Sequence, residues 1–173
     1  MEDNKNCCCS SGCHCGENCQ CTEENKCCPE CTCYVRKNKE LVRKFYELIA
    51  ARRYDEAATL CSDDFVYYPE VHTKFEGVQA FIDLERSNMD PFGDFKMTNQ
   101  FMLADEDRVA VYLTFEGELQ QDNWHGVPVK SKKLYMDFMC MLKVKNGKIV
   151  EKRAKYDRYD IFKQLGVTNL PLK

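Results

Sequence analysis

Eleven of the first 33 residues are cysteines: Cys7, Cys8, Cys9, Cys13, Cys15, Cys19, Cys21, Cys27, Cys28, Cys31 and Cys33. The rest of the chain adds only Cys61 and Cys140. Cys7 and Cys9, Cys13 and Cys15, Cys19 and Cys21 form C-x-C units at a six-residue period, and Cys31 and Cys33 add another. Sulfurs two residues apart lie on one side of an extended stretch, so both can meet one ion or two adjacent ions. Disulfides fit this spacing poorly, because a bridge needs Cα atoms ~4.4–6.8 Å apart and a specific torsion. An odd count would also leave one thiol over. After Met1 the segment holds no Leu, Ile, Val, Phe, Tyr or Trp, so burial of apolar surface cannot order it. Metal ions are the expected organiser.

The ligand count then sets the stoichiometry. Eleven sulfurs complete the tetrahedra of about four divalent ions when five sulfurs bridge. Zn²⁺ and Cd²⁺ suit that arrangement, and Cu⁺ suits thiolates at lower coordination. His14, between Cys13 and Cys15, is either a further ligand or a mere neighbour. A zinc ribbon would need two spaced C-x-x-C pairs, and only Cys28-Pro29-Glu30-Cys31 supplies one. The polar start, Met1 to Asn6, precedes no apolar run, which predicts a cytoplasmic chain with reduced thiols. No basic stripe marks a nucleic-acid footprint, and no stretch approaches the ~18 apolar residues of a membrane span.

The strings CSSGCHCGENCQC and CCPECTC resemble metallothioneins, the cysteine-dense metal-buffering peptides. The resemblance covers residues 7–33 and implies storage and exchange of zinc, copper or cadmium. The alternative is a cluster that only staples an N-terminal extension.

At Tyr34 the composition becomes that of an ordinary globular domain. Residues 1–33 are read as the metal-binding segment, 34–39 as a short basic linker and 40–170 as one domain. Leu41, Val42, Phe45, Leu48 and Ile49 predict a helix over roughly 38–52. A short helix follows Asp55, Phe65–Tyr68 reads as a strand stopped by Pro69, and a third helix follows Gly77 and ends at Asp90–Gly93. The period then changes to two, predicting strands at Phe95–Leu103, Arg108–Leu119, Lys132–Val144 and Lys148–Asp157. Asn146-Gly147 is a type I′ hairpin signal, and a last helix spans Tyr159 to Leu165. The expected class is α+β, a cone in which a curved antiparallel sheet wraps three helices.

The frames ELVRKFYELIAARRYDEAATLCSDDFVYY, FEGVQAFIDL and YMDFMCMLKVKNGKIVEKRAKYD are similar to SnoaL-like members of the nuclear transport factor 2 superfamily, over about 38–166. That resemblance implies a pocket between sheet and helices and a homodimer paired through the outer sheet face. The fold hosts many functions, so it names no reaction.

Strand parity puts Tyr135, Asp137, Met139 and Met141 on one face and Met136, Phe138, Cys140 and Leu142 on the other. The expected pocket set is Tyr67, Tyr135, Asp137 and Met139. Buried there, Asp137 would be a protonated donor to an oxyanion. In the resemblance to steroid isomerases of the superfamily, Asp137 falls at the oxyanion-hole aspartate and Phe45 or Tyr46 near its partner tyrosine. Only Glu70 lies close to the base position. The acid-Arg-acid set of related epoxide hydrolases is replaced by Leu113–Glu116 and Ala154. Asp137 and Tyr46 are thus the catalytic candidates, and one clean match among three argues more for a non-enzymatic cone than for an enzyme.

Trp124, His125 and Gly126 lie in a loop that could close a pocket mouth or bind a partner, with simple surface packing as the alternative. Glu70 and His72 lack a visible third metal ligand, and Cys61 and Cys140 read as buried, inert thiols. The expected partners are therefore metal ions, a hydrophobic small molecule and a second copy of the chain. Three function classes remain open: metal buffer, small-molecule isomerase, cyclase or hydrolase, and non-catalytic binding or dimerisation module.

Overall fold

The computed structural model describes residues 33–167. Among the described residues there are four helices: α1 (Cys33–Ala50), α2 (Tyr54–Ala58), α3 (Val78–Met89) and α4 (Arg158–Gln164). Six strands build the main sheet: β1 (Cys61–Glu70), β2 (Thr73–Glu76), β3 (Phe92–Asp105), β4 (Arg108–Leu119), β7 (Lys133–Lys145) and β8 (Lys148–Lys155). Two short strands, β5 (Asn123–Trp124) and β6 (Val127–Pro128), pair only with each other.

The sheet order is β2-β1-β8-β7-β4-β3. The stretch from β3 to β8 is the expected antiparallel meander, but β8 then pairs with β1 in parallel. The sheet is therefore mixed rather than antiparallel. Between β1 and β8 the chain runs through β2, α3 and the other meander strands, so the last strand returns alongside β1 in the same direction. Asn146 and Gly147 both have positive φ, the geometry a type I′ turn between β7 and β8 requires.

Helix α1 starts at Cys33, so residues 34–39, read as a linker, form its first turns. Tyr34 and Asn38 are buried there, and Asn38 donates to the Glu106 carbonyl at the β3–β4 turn. A basic-looking sequence hid this because Arg36, Lys37 and Lys39 lie around the two buried residues. One face of α1, with Val42, Phe45, Ile49 and Tyr46, packs over β3 and β4. Phe81 and Ile82 of α3 face β1, and Phe81 meets Phe45, Phe65 and Tyr67 in an aromatic cluster. At the other end, Phe92, Phe115, Leu119 and Leu134 meet Ile161 and Leu165 of the last helical turn. Asp157 caps α4 by accepting from the Asp160 amide at 3.0 Å.

Two bulges decide what faces inward. In β8 one extra residue, Val150, sits between the pairs Val144–Ile149 and Lys143–Glu151. In β3 Gln100 is extra between Asn99–Leu113 and Phe101–Tyr112. Each bulge reverses the alternation beyond it.

Candidate functional site

Between the helices and the concave sheet face lies a cavity of about 80 Å³, room for a few waters or one small ring. Its walls are Tyr46 and Ile49 from α1, Glu85 and Met89 from α3, Met136, Phe138 and Cys140 from β7, and Lys152 and Ala154 from β8. The lining is mostly apolar, with a few convergent polar groups, the pattern of a small-molecule site.

The chemistry sits in one ion pair. Lys152 Nζ lies 3.2 Å from Glu85 Oε1, and the two side chains are only 5% and 6% exposed. The ammonium is 4.5 Å from the centre of the Phe81 ring and 4.9 Å from that of Tyr67, with Tyr46 and Phe45 farther out. Burial is the largest influence and pulls the Lys152 pKa down, but the Glu85 carboxylate, with smaller contributions from Cys140 and Cys61, more than offsets it and leaves the pKa above the ordinary lysine range. Lys152 is therefore a cation and hydrogen-bond donor, not a free amine nucleophile.

Tyr46 stands beside it. Burial is the main cause that raises its pKa well above the usual phenol range, reinforced by Cys140, so it stays a neutral O–H. That hydroxyl borders the cavity beside the Cys140 thiol and has no nitrogen or oxygen partner among the described residues. Tyr67 is likewise held protonated by burial. The Cys140 thiol is raised by burial and Cys61 is pushed up to about 12 by the same cause, so neither is a thiolate nucleophile at neutral pH.

Of the expected site residues, Tyr46 and Tyr67 line the cavity. Tyr135, Asp137 and Met139 do not: they stand on the outer sheet face, and the cavity is lined by the opposite face of β7. Asp137 is exposed and accepts a hydrogen bond from the Tyr112 hydroxyl across the β4–β7 pair. The expected buried carboxyl is therefore not what Asp137 supplies. The parity grouping was sound; with both faces apolar, nothing in β7 itself marks which one turns inward.

Glu70 pairs with Arg158 at 2.5 Å, joining the end of β1 to the start of α4. Among the described residues no group of three or more His, Cys, Asp or Glu is placed to hold a metal, so Glu70 and His72 gain no third ligand. Cys7, Cys8, Cys9, Cys13, Cys15, Cys19, Cys21, Cys27, Cys28 and Cys31 lie outside the described residues. Cys33 is buried at the start of α1 and is disulfide-bonded.

Lys152 and Glu85 were both missed. Glu85 follows Phe81 by four and Ile82 by three, which places it on the buried stripe of α3, and that spacing was a usable signal. Lys152 had none: strict alternation from Ile149 points Glu151 and Arg153 inward, and only the Val150 bulge exchanges them for Lys152 and Ala154.

The cone and its walled cavity define a small-molecule pocket fold. The SnoaL-like polyketide cyclase family matches residues 39–165, and the chain belongs to it. Solved structures are similar at low identity. AclR from Streptomyces galilaeus is 20% identical, covering 78% of this chain and 99% of its own, with a TM-score of 0.69. An LEH-like epoxide hydrolase from M. tuberculosis is 21% identical, covering 76% and 90%, with a TM-score of 0.60. A Catenulispora acidiphila protein with a ketosteroid isomerase-like fold, solved with trimethylamine, is 12% identical, covering 74% and 93%, with a TM-score of 0.62. At these identities the likeness establishes the fold. No curated protein matches the chain. Among the described residues no helix is long and apolar enough to cross a membrane.

Proposed function

We propose that the cone binds a compact, mostly apolar molecule through one carbonyl oxygen and enolises it. The observation that carries this is the Lys152–Glu85 pair, buried at the wall of the cavity. Lys152 and the Tyr46 hydroxyl donate to the oxygen, and Glu85 takes the proton from the adjacent carbon. The charge stays balanced. An ammonium, a carboxylate and a neutral ketone become an ammonium, a carboxylic acid and an enolate, so no net charge is created in a low-dielectric site. Enolisation is the first step of double-bond isomerisation next to a carbonyl and of aldol-type cyclisation. Hydrolysis is less favoured, because Ala154 and Leu113 offer no second acid or base to activate water. Cyclohexanone in D₂O with the full chain should exchange its α-hydrogens at least tenfold faster than with the Glu85→Gln variant. Equal rates would remove the proton-transfer step.

A second act is proposed for residues 1–33: binding and buffering of about four Zn²⁺ or Cd²⁺ ions, or of Cu⁺, by cysteine thiolates. Its support is the density and C-x-C spacing of the eleven cysteines.

The outer sheet face supports a homodimer. Phe101 and Leu103 of β3, Tyr112 of β4, and Met139 and Met141 of β7 lie side by side through the register, and Phe101 stacks on Tyr112 with ring centres 5.3 Å apart. Phe101, Leu103 and Met139 are each more than half exposed in the single chain. A contiguous apolar patch of that kind marks an association surface. Sedimentation should give a dimer for the full chain and a monomer for the Phe101→Glu/Met139→Glu variant. A wild-type chain that stays monomeric at high concentration would refute this.

A further inference from the structure

Next to the cavity beside Lys152 lies a second, outer basin of about 830 Å³, lined in part by Phe75, Leu84, Val127 and Phe162. The two spaces share four lining residues: Asn88, Trp124, Tyr156 and Ile161. Trp124 belongs to the β5–β6 hairpin, which is hydrogen-bonded within itself and forms no ladder with the main sheet. His125 and Gly126 at its tip both have positive φ, the tight two-residue turn that makes such a hairpin a self-contained unit.

The hairpin is seated by few contacts. The Trp124 ring meets Phe92 and Phe162 with centres 6.4 and 6.0 Å apart. One side-chain hydrogen bond, His125 Nε2 to Asn88 Oδ1 at 3.0 Å, ties its tip to α3. The Trp124 indole N–H is buried without a partner among the described residues. An unpartnered buried donor penalises the seated position, and lifting the ring returns that N–H to water.

We propose that Trp124 is the specificity-determining wall of the site, and that displacing its ring joins the inner cavity and the outer basin into one chamber for a longer ligand. With the indole seated, only a single small ring fits beside Lys152. With it displaced, the same oxygen-binding end is kept and an apolar extension runs into the basin between Phe75, Leu84 and Phe162. The class of ligand is then a small head bearing one oxygen, with a flat or chain-like apolar body. This rests on the proposed oxygen-binding role of Lys152.

Phenol and 4-phenylphenol, which differ only by a second ring, are the probes, titrated calorimetrically into the full chain. Trp124→Ala should raise affinity for 4-phenylphenol at least tenfold and change that for phenol less than threefold. Lys152→Met should weaken both at least tenfold. Phenol binding that depends on Lys152, with no gain for 4-phenylphenol in Trp124→Ala, overturns this inference alone. No phenol binding by the wild type overturns the proposed oxygen site and the inference with it. Trp124 is the sole tryptophan, so its fluorescence gives a ligand-free measure that does not need the alanine variant. Asn88→Ala should red-shift its emission and raise quenching by acrylamide at least twofold. An unchanged spectrum and quenching would show that the ring does not depend on the latch and would count against a displaceable wall.

Discussion

Replacing Lys152 by alanine is expected to cost about 3–5 kcal/mol of folding stability, because it leaves the Glu85 carboxylate buried without its counter-charge. For a domain of this size that is a fall in Tm of about 10–20 °C. The size comes from burial: a pair this enclosed cannot hand its charge to water, unlike the exposed pairs Arg36–Glu40 or Lys74–Glu76, which water screens. The double variant Lys152→Met/Glu85→Leu should recover to within about 2 kcal/mol of wild type, since two apolar side chains fill the space and no charge is stranded. A thermal-denaturation cycle over the four proteins checks this. If Lys152→Ala and the double variant prove equally unstable, packing rather than charge holds the site together. A recovered double variant with no phenol binding would separate function from stability: the pair would then be retained for chemistry. The pH dependence has a defined sign. The folded-state pKa of Lys152 is raised, so its contribution is complete below the ordinary lysine value of about 10.4 and is lost only as pH rises through the folded value.

The helices were readable because their apolar stripes are unambiguous. Val42, Phe45 and Ile49 on α1, and Phe81 and Ile82 on α3, recur at helical spacing and are all buried. The meander strands and the Asn146-Gly147 turn were readable for the same reason, a clear period followed by a clear break. The orientation of the site was not. β7 carries apolar residues on both faces, Met136 and Phe138 against Tyr135 and Met139, since one face lines the cavity and the other forms an exposed apolar surface. Period two separates the faces and is silent on which one is inside. β8 failed differently. Its sequence KIVEKRAK reads as a surface strand, and the buried lysine is revealed only by a bulge that no local signal announces. The parallel β1–β8 pairing is a property of the whole topology, not of either strand. Sequence periodicity thus reached the elements, while the inward charge depended on a one-residue insertion between them.

Reduced under anaerobic conditions, the full chain is expected to take up about four Cd²⁺ or Zn²⁺ ions, counted by native mass spectrometry. Reduction is required because Cys33 is disulfide-bonded in the form described, and an oxidised sulfur does not act as a thiolate ligand. Uptake should release protons and reverse on acidification, since each thiol must ionise to bind. Replacing Cys13, Cys15, Cys19 and Cys21 by serine should remove at least half of the ions. The domain supplies a control for what the metal does. Residues 39–165 build their own core from Val42, Phe45, Phe65, Phe81 and Leu113, so a buffering segment should leave the melting of that core unchanged on chelation. Ligands stabilise a fold only where they bind the folded state better than the unfolded one, and ten of the eleven cysteines precede α1, leaving Cys33 as the one ligand shared with the domain. A staple predicts the opposite, a core that melts several degrees lower once the ions are stripped. Fewer than two ions on a fully reduced chain would end the metal-buffer reading and leave the cone as the functional part of the protein.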